Sequence, residues 1–216
     1  MRVIQIIKKL NNTELGKSGT HEFYVQVPQD LVIDDFFPDI DVIKNFVYKK
    51  TGKVYHIRCT VGREKRIVGL GDFYRDNNVC AGDEVVLEKH IDENEDAAYY
   101  IDLNKRSDIL MIQRCKEGFE LLNAERKHLV TNTVQVYVDG ELKPITVEFI
   151  GAEKKREDSP STTDIYDVKL DGYSIVKDYG GKEMVEIQVD KVNNTAFANR
   201  ICAWKKYIFE MEDQNE

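Results

Sequence analysis

Apolar and polar positions alternate through the first part of the chain. Phe23, Val25 and Val27 alternate with Tyr24 and Gln26, and Pro28 closes the run; this is the period of a strand with one buried face. VYHIRCTV at Val54–Val61 alternates in the same way. Arg2–Leu10 alternates more loosely through Val3, Ile4, Ile6, Ile7 and Leu10, and Arg66–Leu70 reads as a further strand stopped by Gly69 and Gly71. Asp72 is placed to N-cap a short helix, DFYRDNN, and Gly82-Asp83 then turn the chain into a buried strand, EVVLEK. Many short strands with one short helix predict a small barrel or sandwich.

The pattern changes at Ile91–Ala97 (IDENEDA), whose acidic, weakly hydrophobic character suits a linker. Residues 93–107 are therefore expected to separate a β-domain over 1–92 from a second domain over 108–216. In the latter, Ile109, Ile112, Phe119, Leu122 and Leu129 recur at roughly helical spacing. Val134–Val138 and Ile145–Ile150, joined by DGEL, predict a hairpin. Ala152–Asp164 is polar, carries Pro160 and reads as a mobile loop; IYDVKL, YSIVKDY and MVEIQV are strand-like. Phe197, Ile201, Trp204, Tyr207, Ile208 and Met211 share one face of a helix, so the second domain is expected to be a smaller α+β unit.

Composition narrows the class. With 42% hydrophobic residues and four prolines in 216 residues, the chain has enough apolar material for packed cores. Cys59, Cys80, Cys115 and Cys202 lie far apart, without CxxC or Cys/His spacing, which argues against a disulfide framework or zinc site. The N-terminal apolar run is too short for a signal peptide, and no 18-residue apolar stretch is present. A soluble, cytoplasmic protein without a membrane partner is expected.

The net charge of −8 is unevenly placed. Residues 1–92 hold 14 Lys/Arg and 14 Asp/Glu; the remaining residues hold 17 and 25. Between Lys49 and Arg66, seven basic residues (Lys49, Lys50, Lys53, Arg58, Arg63, Lys65, Arg66) face Glu64 alone. Two polar, basic loops stand out: Leu10–Glu22, loosened by Gly16 and Gly19, and Gly62–Arg66. Local potential rather than net charge governs phosphate binding, so a pair of such loops points to a polyanion.

The sequence KKLNNTELGKSGTHEFYVQVP resembles the start of the N-terminal, effector-binding domain of EcoRII-type restriction endonucleases. That family shows K-x-L-x-x-N-[DE]-T-G-x-T-G-x-H-Q before a strand ending in I-P. Lys9, Leu10, Asn12, Gly16, Gly19, His21 and Pro28 fall in register; Phe36-Phe37-Pro38 is similar to the family's FP element. GREKRIVGLGDFYRDNNVCAGDEVVLEK is similar to its G-x-x-x-E-x-R-L-T segment, short helix and GD-strand. The departures are Glu22 in place of Gln and a shortened spacing at Glu64-Lys65-Arg66.

The resemblance covers residues 1–92. It implies the B3-like DNA-binding pseudobarrel, mainly β with α, whose two arms grip the major groove, and it implies a bacterial restriction–modification setting. Candidate N-arm residues are Asn12, Thr13, Glu14, Lys17, Ser18, Thr20, His21 and Glu22. Candidate C-arm residues are Arg63, Glu64, Lys65 and Arg66. Either arginine can contact guanine O6 and N7 bidentately, and Glu64 or Glu22 can accept from cytosine N4. Lys9, Lys49, Lys50, Lys53 and Arg58 are the phosphate candidates.

Catalytic chemistry is thinly represented. Asp167-Val168-Lys169 fits the DxK of Mg²⁺-dependent nucleases, as Glu153-Lys154-Lys155 and Glu141-Leu142-Lys143 fit ExK, but three matches are what a region rich in these residues yields by chance. No HxK, P-loop, GxSxG or HExxH is present. The reading is sequence-specific binding of double-stranded DNA without a cofactor or metal, residues 108–216 serving a homodimer or a separate nuclease. The alternatives are an Mg²⁺-dependent nuclease using Asp167 and Lys169, or a protein-interaction module.

Overall fold

The structure, a computed structural model, describes residues 1–17, 22–131, 134–154 and 162–211. In chain order its elements are β1 (Arg2–Lys9), β2 (Tyr24–Val27), β3 (Lys44–Tyr48), β4 (Val54–Val61), β5 (Lys65–Val68), α1 (Gly71–Asp76), β6 (Glu84–Ile91) and β7 (Ala97–Asn104). There follow β8 (Ile109–Arg114), β9 (Phe119–Leu121), a 3-10 helix (Ala124–Val130), β10 (Val134–Val138), β11 (Glu141–Lys154) and β12 (Thr162–Leu170). The last elements are β13 (Tyr173–Ser174), β14 (Met184–Asp190), β15 (Thr195–Arg200) and β16 (Trp204–Glu210).

The chain divides into two compact units: Met1–Lys105 with Cys202–Glu216, and Arg106–Ile201. The first is a curled half-barrel with strand order β16-β1-β6-β7-β3-β4-β5-β2. Strict alternation fixes which way each strand of its outer part faces. Tyr55, Ile57 and Cys59 of β4, Ile67 of β5, and Val25 and Val27 of β2 are buried, so their neighbours point outward. Phe36, Phe37, Phe46 and Tyr99 pack with ring centroids 4.9–6.2 Å apart. Phe73 of α1 packs edge-on against Tyr48 and Tyr55. Each fully buried ring contributes on the order of 1.5–3 kcal/mol through burial. The Phe36-Phe37 pair therefore lies in the core.

Three expectations are corrected. The stretch 93–107 is not a linker: β7 occupies Ala97–Asn104, paired antiparallel with β6 and parallel with β3. The acidic IDENEDA run ends where β7 begins, and beyond it Tyr99, Ile101 and Leu103 alternate into the core. The amphipathic C-terminal helix is instead two strands, β15 and β16, and β16 returns to pair with β1. The helix over Asp108–His128 is the β8–β9 hairpin followed by the 3-10 helix. Its ILMI run is a fully buried strand, and the chain turns where Cys115 N donates to Gly118 O at 2.9 Å.

The second unit is accordingly a closed barrel rather than α+β. Its sheet order β11-β10-β15-β14-β8-β9-β12-β13 is closed by pairing of β11 with β12, giving seven strands in the ring. Leu110, Ile112, Phe119, Val136, Ile145, Val168 and Ile187 fill it. The DGEL hairpin is present, with Asp139 and Gly140 both at positive φ, as a tight turn between strands requires. Of the polar Ala152–Asp164 stretch, both ends belong to β11 and β12; residues 155–161 lie outside the described residues.

Candidate nucleic-acid interface

Three strands at one edge of the half-barrel carry the polar face. β2 pairs antiparallel with β5, and β5 with β4, in a register that sets Gln26 opposite Arg66 and Arg66 opposite Thr60. In the next row Tyr24 stands opposite Val68 and Val68 opposite Arg58. Residues directly opposite share a face. Tyr24, Gln26, Arg66, Thr60 and Arg58 therefore point outward together, opposite to the buried Val25, Ile67 and Cys59.

Arg66 is the centre of this face. Its Cζ lies 4.0 Å from the Tyr24 ring centroid, its Nε donates to Glu64 Oε2 at 3.3 Å, and its Nη1 lies 3.6 Å from Glu22 Oε2. The Glu64 carboxylate pushes the guanidinium further above its already high ordinary value, so the charge is permanent. Glu64, expected to accept from a base, thus pairs with Arg66. Arg63 and Arg58 are exposed and form no ion pair among the described residues. Lys65 pairs with Asp34 at 2.7 Å.

Two hollows flank this pair of strands. One, about 500 Å³, is lined by Phe23, Tyr24, Arg66, Val68, Asp72 and Arg75, with the Arg75 guanidinium 5.3 Å from the Phe23 ring. The other, about 580 Å³, is lined by Gln26, Pro28, Val61, Arg63, Glu64 and Lys65 at the β4–β5 turn. Because β2 runs antiparallel to β5, the segment entering β2 lies at the Val68 end and the β4–β5 turn at the Lys65 end. Gly69 ends β5 at φ +94°, where a Cβ would meet His56 O at 2.1 Å, so only glycine fits the β5–α1 corner.

The N-arm is only partly in the described structure. Ser18, Thr20 and His21 lie outside the described residues. Thr13, Lys17 and Glu22 are exposed, and Lys17 makes no ion pair among the described residues. Glu14 is corrected: it is buried, 2.9 Å from the buried Lys8, and it exchanges hydrogen bonds with the Asn11 backbone and side chain. It anchors the root of the loop rather than facing solvent. Asn12 is half-buried, and its Oδ1 is shielded from solvent.

The phosphate candidates separate. Lys9 is corrected, being buried and 3.6 Å from Glu84. Lys49, Lys50 and Lys53 are exposed but paired with Glu88 (2.6 Å), Asp102 (4.0 Å) and Asp76 (2.6 Å). They sit in the β3–β4 turn, at the opposite end of β4 from Arg63, roughly 25 Å away along an eight-residue strand. Only Arg58 lies on the polar face. Tyr24, Gln26, Thr60 and Arg75 join the site beyond the arm and phosphate candidates, and the alternation of β2 and β4 is the sequence signal that places the first three beside Arg66.

In the second unit Asp167 accepts from Ser174 Oγ at 2.6 Å, and Lys169 Nζ lies 2.6 Å from Glu148 on β11. Both side chains are thus engaged in cross-strand contacts. No cluster of three His, Cys, Asp or Glu able to hold a metal is found among the described residues. No helix among them is long and apolar enough to cross a membrane.

No protein-family model matches the chain, and no curated protein matches it. Solved structures similar to it include an Arabidopsis FUS3–DNA complex, with 16% identity over 46% of this chain and 94% of that one and a TM-score of 0.35. The B3 domain of the UbaLAI restriction endonuclease with cognate DNA is 19% identical over 47% of this chain and 67% of that one, at a TM-score of 0.33. The N-terminal domain of Helicobacter pylori LlaJI.R1 is 13% identical over 49% and 82%, at 0.34. Likeness at this level does not say what the chain binds.

Proposed function

We propose that the first unit binds double-stranded DNA on the outward face of β2, β5 and β4, its two arms entering the major groove. The observation that carries this is the cross-strand row Gln26–Arg66–Thr60, with Arg58 one row away and with the segment entering β2 and the β4–β5 turn at opposite ends of the face. Stacking on Tyr24 holds the Arg66 guanidinium as a planar fork, the geometry that matches guanine O6 and N7. Glu22 and Glu64 stand beside it as acceptors for cytosine N4, and Gln26 and Thr60 extend the set of groups for base edges. Arg58, Arg63 and Lys17 supply cations for phosphates. The acidic net charge does not decide the matter, because local charge governs phosphate binding, and Arg58 and Arg63 are exposed here without an ion pair among the described residues. The resemblance of Lys9–Pro28 to the EcoRII-type pattern supports the same reading, and the restriction–modification link rests on that resemblance alone.

Anisotropy titration of labelled random-sequence duplexes at several salt concentrations tests the location of the surface. Wild-type protein binds with an affinity that falls steeply as salt rises. Arg58→Ala/Arg66→Ala binds far more weakly, whereas Lys49→Ala/Lys53→Ala matches the wild type. Equal binding by the wild type and the Arg58/Arg66 variant would place the interface elsewhere.

A further inference from the structure

The edge of the half-barrel opposite the polar face is formed by β16. It pairs with β1 along Trp204–Glu210 and with no other strand among the described residues. Its alternation shows which backbone groups are left over. Met211 N donates to Met1 O, and Ala203 O accepts from Lys9 N, so the odd-numbered residues direct their backbone groups at β1. Lys206, Ile208 and Glu210 then direct theirs at the open edge. Edge strands that must stay single are usually short, bulged or guarded by charge or proline. β16 carries charge at Lys205, Lys206 and Glu210, but it has seven residues, no proline and a regular register, and it exposes Tyr207 (47%), Ile208 (49%), Phe209 (38%) and Met211 (39%).

We infer that β16 is the seam of a homodimer, joined by antiparallel pairing with β16 of a second copy. A two-fold axis normal to the sheet keeps each residue on its own face, so the axis must pass beside one residue paired with itself. Centring it on Ile208 sets Ile208 against Ile208, Tyr207 against Phe209 twice, and Lys206 against Glu210 twice. This is apolar and aromatic complementarity in one register, while Lys206 is already held by Asp35 of its own subunit at 2.7 Å. Centring it on Tyr207 instead sets Lys205 against Phe209 and Trp204 against Glu210, a poorer match. The self-complementary sequence therefore commits the edge to a second copy of this chain. The inference stands apart from the DNA reading; if both hold, the dimer presents two polar faces related by a dyad, which suits a site with inverted symmetry.

Light scattering and sedimentation of the full chain without DNA, over a range of concentrations, provide the test. The wild type is expected to be a dimer that dissociates on dilution. Ile208→Lys and Ile208→Glu, each placing like charges on the axis, are expected to be monomers, and an equimolar mixture of the two to regain the dimer mass. Tyr207→Asp, on the other face of the strand, is expected to be a monomer too and serves if a residue-208 variant fails to fold by circular dichroism. A wild type that stays monomeric at every concentration overturns the proposal. So does a dimer that the folded variants leave intact.

Discussion

Arg66 lies across the ring of Tyr24, its Cζ 4.0 Å from the centroid, although its direct cross-strand partner is Gln26. The aromatic ring supports one side of the guanidinium, and Glu64 and Glu22 engage its Nε and Nη1, partners that a base would have to replace or share. Replacing Arg66 by Ala is expected to weaken binding to a preferred duplex by about 1–3 kcal/mol and to relax preference at one base pair. Arg66→Lys is expected to recover little of this, since a point charge cannot reproduce a stacked, planar fork. Affinities measured against the preferred duplex and single-base variants check both statements. Equal loss on every sequence would leave Arg66 a phosphate contact.

Arg58 and the lysines of the β3–β4 turn should differ in salt dependence. Arg58 is exposed on the polar face without an ion pair among the described residues, whereas Lys49 and Lys53 face carboxylates at 2.6 Å. Arg58→Ala should lower the slope of log K against log salt by about one. Lys49→Ala and Lys53→Ala should leave it unchanged.

Buried Lys8 and Glu14 hold the root of the N-arm, with Lys8 Nζ also donating to Lys9 O at 2.7 Å and lying 5.4 Å from the Trp204 ring. Burial lowers the Lys8 ammonium and raises the Glu14 carboxyl from their ordinary values, and their mutual attraction opposes both shifts. Glu14→Gln leaves a buried cation without its counter-charge and should cost about 3–5 kcal/mol in urea unfolding. Pairing it with Lys8→Met should recover most of that loss.

Glu88 governs part of the acid sensitivity. Burial alone would raise its carboxyl, but Lys49 at 2.6 Å, His90 Nε2 at 2.7 Å and Gln5 Nε2 at 2.9 Å outweigh it and hold the group below 4.5. A depressed folded-state value means that its contribution is complete above about 4.5 and is lost as pH falls through the folded value. Urea midpoints followed against pH should decline below that point. Glu88→Gln should start lower at neutral pH and decline less.

The polar face was largely legible in the sequence, because strict alternation survives wherever a strand buries one side. Val54–Val61 is a strand with the expected bounds, and Arg63 and Arg66 stand at and beside the turn where the basic loop placed them. Elements that bury both sides or neither were not legible. Ile109–Ile112 is apolar throughout, and β16 exposes apolar residues on both faces, so each offered a spacing that a helix also satisfies. Charge counts misled for a different reason. Lys9 and Glu14 look like surface residues in a list, and only the fold shows that each is buried beside a partner.

Selection from randomised duplexes with the purified chain at moderate salt, followed by sequencing of what is retained, is the most direct test of DNA reading by this face. A short enriched motif containing a G·C pair is expected, lost when Arg58 and Arg66 are replaced by Ala. Failure to retain any duplex, or retention unchanged in that variant, would contradict it.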